Sequence, residues 1–232
     1  MSNPLWGGRP HHQRAREVIS PSGGIMRGKF PSRKNGRMVH HEGLLELDAL
    51  YLLEASPLVQ SYREQPITIY YPDGARTRRY TPDLEVTLQT GQTVWVEVKP
   101  RRSLQNEEVR HKLSCISAHL ERSHQPFVVL TDEVLREQPR QSNVRAIVHR
   151  AMGTHVTPQA AHMALLRCVH QLPADLATAT QLLAVDAMEP YTLLMAGWLR
   201  CTLDQPLNHQ TLITPTLESD DGWFWLAQAH GF

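Results

Sequence analysis

The first sustained hydrophobic period in the chain begins at His41. Through HHEGLLELDALYLLEASP, the residues Leu44, Leu45, Leu47, Leu50, Tyr51 and Leu53 keep an apolar stripe that predicts a helix, and Pro57 stops it. The period then shortens. Gln65 to Tyr71 predicts the first arm of a hairpin that ends at a Pro72-Asp73-Gly74 turn, with Arg76 to Tyr80 as its return. Asp83 to Leu88, a Thr90-Gly91 turn and Thr93 to Val98 predict a second hairpin. In VWVEVK the alternation puts Val94, Val96 and Val98 on one face and Trp95, Glu97 and Lys99 on the other. A helix from near Leu104 to about His124, the apolar strand PFVVLT and a helix around Asn143 to Ala151 complete a mixed α/β core over about residues 41–150.

The flanking stretches read differently. Residues 1–40 mix Pro, Gly, Ser and basic side chains without a sustained period, which predicts an irregular arm, with a short helix around Arg14 to Val18 at most. GTHVTP, Gly153 to Pro158, reads as a boundary. Beyond it, helices are expected over Pro158 to Gln171, Asp175 to Leu183 and Pro190 to Gly197, then a hairpin in which WLRCTL and QTLIT flank DQPLNH. Three short helices and a two-stranded turn outline a winged helix, and a plain helical bundle fits nearly as well. The expected division is a basic arm at 1–40, a catalytic domain at 41–152 and a small C-terminal domain at 153–232.

Composition narrows the function classes. No stretch approaches ~20 consecutive apolar residues, and MSNPLWGGRPHHQRAR lacks the apolar core of a secretory signal, so a cytoplasmic protein with no membrane partner is expected. Cys115, Cys168 and Cys201 are widely spaced, odd in number and without a CxxC pair, which predicts core thiols in a reducing compartment. The 13 histidines show no HExxH or finger-like spacing. A formal net charge of +1 conceals an asymmetry: residues 1–112 hold 17 Lys+Arg against 12 Asp+Glu, and the remaining residues hold 7 against 11. The first part is therefore the one suited to phosphate.

A metal-assisted phosphodiester hydrolase needs hard carboxylate ligands and a nearby ammonium, and the second hairpin supplies both. Asp83 opens one strand, while Glu97 and Lys99 lie two apart on the next and point the same way. The strand-turn-strand between them brings Asp83 alongside Glu97. The preceding helix adds Glu46, with Glu42 on the same face as the alternative. Basic residues surround the constellation: Arg76, Arg78, Arg79, Arg101 and Arg102, with Lys29, Arg33, Lys34 and Arg37 in the arm, all expected to contact DNA phosphates.

The runs HHEGLLELDALYLLEASPLVQSYREQP, RRYTPDLEV and VWVEVKP, with the leader PSGGIMRGKFPSRKNGRMVHH, resemble TnsA, the endonuclease subunit of heteromeric cut-and-paste transposases. The resemblance covers about residues 20–135, and beyond 150 only the helical layout is similar. It implies a restriction-endonuclease-like PD-(D/E)xK core with a small C-terminal helical, winged-helix-like domain. It implies Glu46 as the helix carboxylate, Asp83 and Glu97 as metal ligands, Val98 as a ligand through its carbonyl, and Lys99 as the catalytic lysine. Mg²⁺, with Mn²⁺ able to substitute, is the implied cofactor. The implied work is cleavage of the 5′ ends of a transposon in the bacterial cytoplasm. The implied partners are transposon-end DNA, a TnsB-like integrase-type transposase, and a TnsC-like AAA+ regulator that docks on the C-terminal region and is tied to RNA-guided targeting in some systems. The tail GWFWLAQAHGF is an aromatic segment suited to such docking. A stand-alone restriction or repair nuclease and a non-catalytic DNA-bridging subunit are the alternatives.

Overall fold

The computed structural model describes residues 14–15, 26–154, 156–216, 227–230 and 232. By contacts the chain divides into two units: Met1–Leu50, Val59–Leu135 and Leu226–Phe232 form one, and Tyr51–Leu58 with Arg136–Trp225 form the other. This division runs between residues 135 and 136 rather than between 152 and 153.

The first unit opens with a hairpin of β1 (Gly28–Ser32) and β2 (Arg37–His41), in register Phe30↔Val39. The sequence reading expects an irregular arm here. The side chains that alternate inward, Phe30 and Val39, are buried, and Gly36 takes a φ of +61° at the end of the Arg33-Lys34-Asn35-Gly36 turn. Asn35 fixes that turn from within, since its Oδ1 accepts from the Tyr62 amide at 3.0 Å and its own amide donates to Ser32 Oγ at 3.1 Å. Of the expected Arg14 to Val18 helix, residues 16–18 lie outside the described residues.

Helix α1 (Leu44–Ala55) starts where Gly43 accepts the first helical hydrogen bond from Leu47, and it ends two residues before Pro57. A central sheet is then built in the order β3-β6-β7-β8 from β3 (Val59–Glu64), β6 (Leu84–Leu88), β7 (Thr93–Lys99) and β8 (Phe127–Thr131). The first two pairings are antiparallel and β7 pairs β8 in parallel. Between β3 and β6 lies a separate hairpin of β4 (Ile69–Asp73) and β5 (Arg76–Tyr80). It starts four residues later than the hairpin arm expected from Gln65.

The crossover from β7 to β8 runs through a short 3-10 turn at Arg101–Gln105 and helix α2 (Glu107–Arg122). Asn106 caps α2, its side chain accepting from the amides of Glu108 and Val109, while Glu107 and Glu108 complement the helix dipole at that end. The inward stripe of α2, Ile116 and Leu120, buries against Tyr71 and Tyr80 of the β4-β5 hairpin, with Trp95 and Phe127 at the margin. Val94, Val96 and Val98 are all buried, so the apolar face expected of β7 is present. The short helix α3 (Asp132–Leu135) follows β8.

The second unit holds α4 (Arg140–Ala151), α5 (Pro158–Cys168), α6 (Leu176–Ala184) and α7 (Pro190–Met195) with a three-stranded sheet. Its strands β9 (Ala174–Asp175), β10 (Leu199–Arg200) and β11 (Leu212–Pro215) take the order β10-β11-β9, both pairings antiparallel. Asn143 of α4 ties down the long β10-β11 connection: its Nδ2 donates to the carbonyls of Leu203 and Gln205 at 2.9 and 2.8 Å, and its Oδ1 accepts from the Leu207 amide at 3.0 Å. In the aromatic tail, residues 222–226 and 231 lie outside the described residues, and the terminal Phe232 is buried. No helix among the described residues is long and apolar enough to cross a membrane.

Candidate active site

The β6-β7 register places the site. Leu84 pairs with Val96, so one step along the ladder Asp83 comes opposite Glu97, and the Asp83 side chain reaches the next residue of β7. Its Oδ2 accepts from the Val98 amide at 2.8 Å. Lys99 projects from the same face of β7 as Glu97 and sits between the two acids, with its Nζ 2.7 Å from Glu97 Oε1 and 3.6 Å from Asp83 Oδ2. That ammonium also lies 3.4 Å from the Val98 carbonyl.

Glu97 is buried at 2% exposure, which a carboxylate tolerates only with partners for both oxygens. Lys99 serves Oε1. Oε2 accepts from the Tyr80 hydroxyl at 2.6 Å, a bond that crosses from the end of β5 to the middle of β7. Tyr80 is a site residue that sequence reasoning missed. Its ring is held in place by an edge-on contact with Phe127, centroids 6.2 Å apart, and by the packing of α2.

The electrostatics describe a site short of positive charge. Burial raises the Asp83 carboxyl well above the ordinary carboxylate range, the charge of Glu97 raises it further, and Lys99 only partly offsets both. Burial likewise raises Glu46, against a hydrogen bond its carboxylate accepts from the Glu42 amide at 2.7 Å. Glu46 feels both Lys99 and Glu97, and Asp83 feels Glu46, so the helix carboxylate belongs to the same electrostatic cluster. Burial alone would lower the Lys99 ammonium, but Asp83 and Glu97 outweigh it and hold its pKa above the usual value. Burial and the neighbouring Glu97 also raise the Tyr80 phenol, which keeps its proton and remains a donor.

The alternative acid, Glu42, lies just before α1 rather than on its face, because the helix begins only at Leu44, and its Oε1 accepts from Gln65 Nε2 at 3.1 Å. Gln65, with a φ of +44° and its amide donating to the Asp83 carbonyl at 2.9 Å, is a second residue the sequence did not single out. The strand it follows, β3, has too polar a pattern to be read alone.

The basic residues separate into two groups. Lys34 donates to the Val59 carbonyl at 2.6 Å, and Arg37 grips Glu64 through both guanidinium nitrogens at 3.0 and 2.6 Å. Arg78 pairs with Asp73 at 2.5 Å and Arg101 with Glu133 at 3.0 Å. These four side chains hold parts of the chain together. Lys29, Arg76, Arg79 and Arg102 are exposed, and Arg33 is half-buried.

Three buried or half-buried carboxylates, Glu46, Asp83 and Glu97, against one ammonium leave a formal deficit that one divalent cation would cancel. The donors are all oxygens, the set that hard cations such as Mg²⁺ prefer. Residues 56–132, spanning β3 to β8 and with them Tyr80, Asp83, Glu97 and Lys99, match the family model described as TnsA-like endonuclease N terminal. Glu46 lies outside that match. No curated protein matches the chain.

Proposed function

From the premise that this chain carries a TnsA-like endonuclease domain, we propose that it is a Mg²⁺-dependent DNA endonuclease cutting the 5′ ends of a transposon during cut-and-paste transposition. The observation that carries the reading is the Asp83, Glu97 and Lys99 cluster on adjacent strands, with Lys99 within 3.6 Å of both acids. In this reading the first unit is a restriction-endonuclease-like PD-(D/E)xK core. The order α5, β9, α6, α7, β10, β11 with its small antiparallel sheet supports a winged-helix-like second unit.

Asp83, Glu97, the Val98 carbonyl and Glu46 would hold the cation, with Mn²⁺ able to replace it. Bound there, a divalent ion supplies an activated water and charge neutralisation at the scissile phosphate. Lys99 steadies the charge that develops on the phosphoryl oxygens. Tyr80 keeps one Glu97 oxygen occupied and so aims the other toward Lys99 and the open site. The exposed Lys29, Arg76, Arg79 and Arg102 would meet the DNA backbone, work that does not depend on base sequence. Specificity would then come from an integrase-type transposase that cuts the other strand, with an AAA+ regulator docking on the C-terminal region.

The test is strand-specific nicking of transposon-end DNA by the purified chain together with its integrase-type transposase, with and without Mg²⁺. Asp83→Ala and Lys99→Ala are expected to abolish 5′-strand nicking while DNA retention persists. Metal-independent nicking, or nicking intact in both variants, would overturn the assignment. Cleavage of plain DNA by the chain alone would favour a stand-alone nuclease instead.

A further inference from the structure

A second group of metal-capable side chains lies away from the carboxylate cluster. His111 and Cys115 are four residues apart on α2, so they project from one face a single turn apart. Asp73, at the tip of the β4-β5 hairpin, faces them. His111 Nε2 lies 2.7 Å from Asp73 Oδ1 and 3.6 Å from Cys115 Sγ, and one ligand atom from each residue falls within 4.8 Å of the others.

The chemistry of this trio differs from that of the nuclease cluster. A thiolate and an imidazole are borderline-soft ligands that favour zinc and disfavour magnesium. The spacing also fits. With Zn–S of about 2.3 Å and Zn–N of about 2.0 Å, tetrahedral geometry puts the sulfur and nitrogen ~3.5 Å apart, close to the 3.6 Å found between Cys115 and His111. The same geometry asks for ~3.3 Å between nitrogen and carboxylate oxygen. The 2.7 Å contact of His111 with Asp73 must therefore open by about half an ångström, a side-chain motion at an exposed histidine. Asp73 can ligate through Oδ1 alone, because Arg78 already holds its Oδ2 at 2.5 Å. An outer partner of that kind fixes the orientation of a ligating carboxylate.

We propose that Asp73, His111 and Cys115 form a zinc-class site with three protein ligands and one position left for water, separate from the carboxylate cluster. Such an ion would fasten the β4-β5 hairpin to α2 at its open end, beyond the apolar packing of Tyr71 and Tyr80 against Ile116 and Leu120. It would thereby stiffen the hairpin whose last residue, Tyr80, holds Glu97. The inference does not depend on the endonuclease reading, because it rests on different residues and a different ligand chemistry.

The experiment is a Co²⁺ titration of the full-length, chelator-stripped protein, read by the thiolate-to-cobalt charge-transfer absorption and followed by displacement with Zn²⁺. The expected result is a band saturating at one equivalent and bleached by Zn²⁺. It should be lost in Cys115→Ser and in His111→Gln, and weakened in Asp73→Asn. It should persist in Asp83→Asn, which disables the carboxylate cluster, and in Cys168→Ser. His111 is two-thirds exposed, so its variant keeps the fold even if Cys115→Ser disturbs packing, and unchanged far-ultraviolet dichroism checks this. Zn²⁺ affinity should fall in His111→Gln by more than the ~10–100-fold that loss of an outer partner costs. The wild-type protein should also melt higher with Zn²⁺, and the His111→Gln protein should not. A wild-type protein without the band, a band that survives Cys115→Ser or His111→Gln, or a band lost in Asp83→Asn would each overturn the proposal.

Discussion

The substitution Tyr80→Phe removes one hydroxyl and leaves the ring, so it isolates the bond on which the buried end of Glu97 depends. The phenylalanine ring retains the edge contact with Phe127 and the packing against Tyr71, Ile116 and Leu120. What disappears is a 2.6 Å hydrogen bond to Glu97, whose side chain is 3% exposed and cannot turn to bulk water for a replacement. Hydrogen bonds to charged groups contribute about 1.5–3 kcal/mol, and a buried acceptor left without its donor carries the full desolvation cost. For a chain of this size ~2 kcal/mol corresponds to a melting temperature lower by about 4–8 °C. Because burial and Glu97 hold the Tyr80 phenol protonated, the deficit should persist into alkaline conditions.

The assay is thermal or denaturant unfolding of wild type, Tyr80→Phe, Glu97→Gln and the double variant in metal-free buffer, with Tyr70→Phe as control. Tyr70 is 67% exposed, so loss of its hydroxyl should change nothing measurable. The double-mutant cycle should return a coupling of at least about 1 kcal/mol between positions 80 and 97, whereas independent sites add to within ~0.5 kcal/mol. Additivity within that margin, or a Tyr80→Phe protein that melts with the wild type, would refute the claim that the phenol anchors Glu97.

Asp83 and Glu46 have raised folded-state pKa values, so the metal-free stability they contribute is complete below the ordinary carboxylate range and lost as pH rises through those values. On the proposed reading Mg²⁺ would compete with these protons, so its apparent affinity by calorimetry should climb over that window by up to about tenfold per pH unit for each proton displaced, and a flat profile would contradict it. Arg37→Met leaves Glu64 buried without its bidentate partner and should cost ~3 kcal/mol in denaturant unfolding at neutral pH. Burial alone would raise Glu64, but Arg37 outweighs it and lowers the carboxyl, so this loss should fade as pH falls through the lowered value. Asn143→Ala removes three bonds to the β10-β11 connection, which should cost about 2–3 kcal/mol and raise hydrogen exchange at Leu207. Replacing Arg76, Arg79 and Arg102 with alanine should each lower the slope of log affinity against log salt for DNA by about 0.9, and an unchanged slope would remove that residue from the backbone contacts.

The parts of the fold that the sequence announced are those whose signal is local. The β6-β7 hairpin follows from alternation on both arms and a turn between them, and its register carries Asp83 to Glu97 and Lys99 without tertiary information. The β1-β2 hairpin carried a local signal too, the Asn35-Gly36 pair, but Pro31 and a run of basic residues masked the inward alternation of Phe30 and Val39. Strand β3 had no such signal. It reads VQSYRE, and its buried Glu64 is met by Arg37 and the His40 amide, both more than 20 residues earlier. Tyr80 closes an exposed, arginine-rich strand, and its role depends on where the β4-β5 hairpin lies against α2 and β7. The sequence of α4 predicts a helix, yet its grouping with the second unit depends on contacts such as those of Asn143 that no periodicity encodes.

A cluster so poorly balanced in charge is held together by neutral donors. Each acid is held by a bond that costs the chain little elsewhere: the Val98 amide for Asp83, the Tyr80 hydroxyl for Glu97, the Glu42 amide for Glu46. None of these bonds supplies positive charge. They fix the carboxylates in position while leaving Lys99 as the one ammonium among the described residues within ion-pair distance of Asp83 and Glu97. An arrangement selected for stability alone would replace an acid with an apolar side chain, since buried ion pairs rarely exceed well-packed hydrophobic groups in stability. On the proposed reading, a cation and the phosphate it faces would complete the charge that three acids around one ammonium leave open.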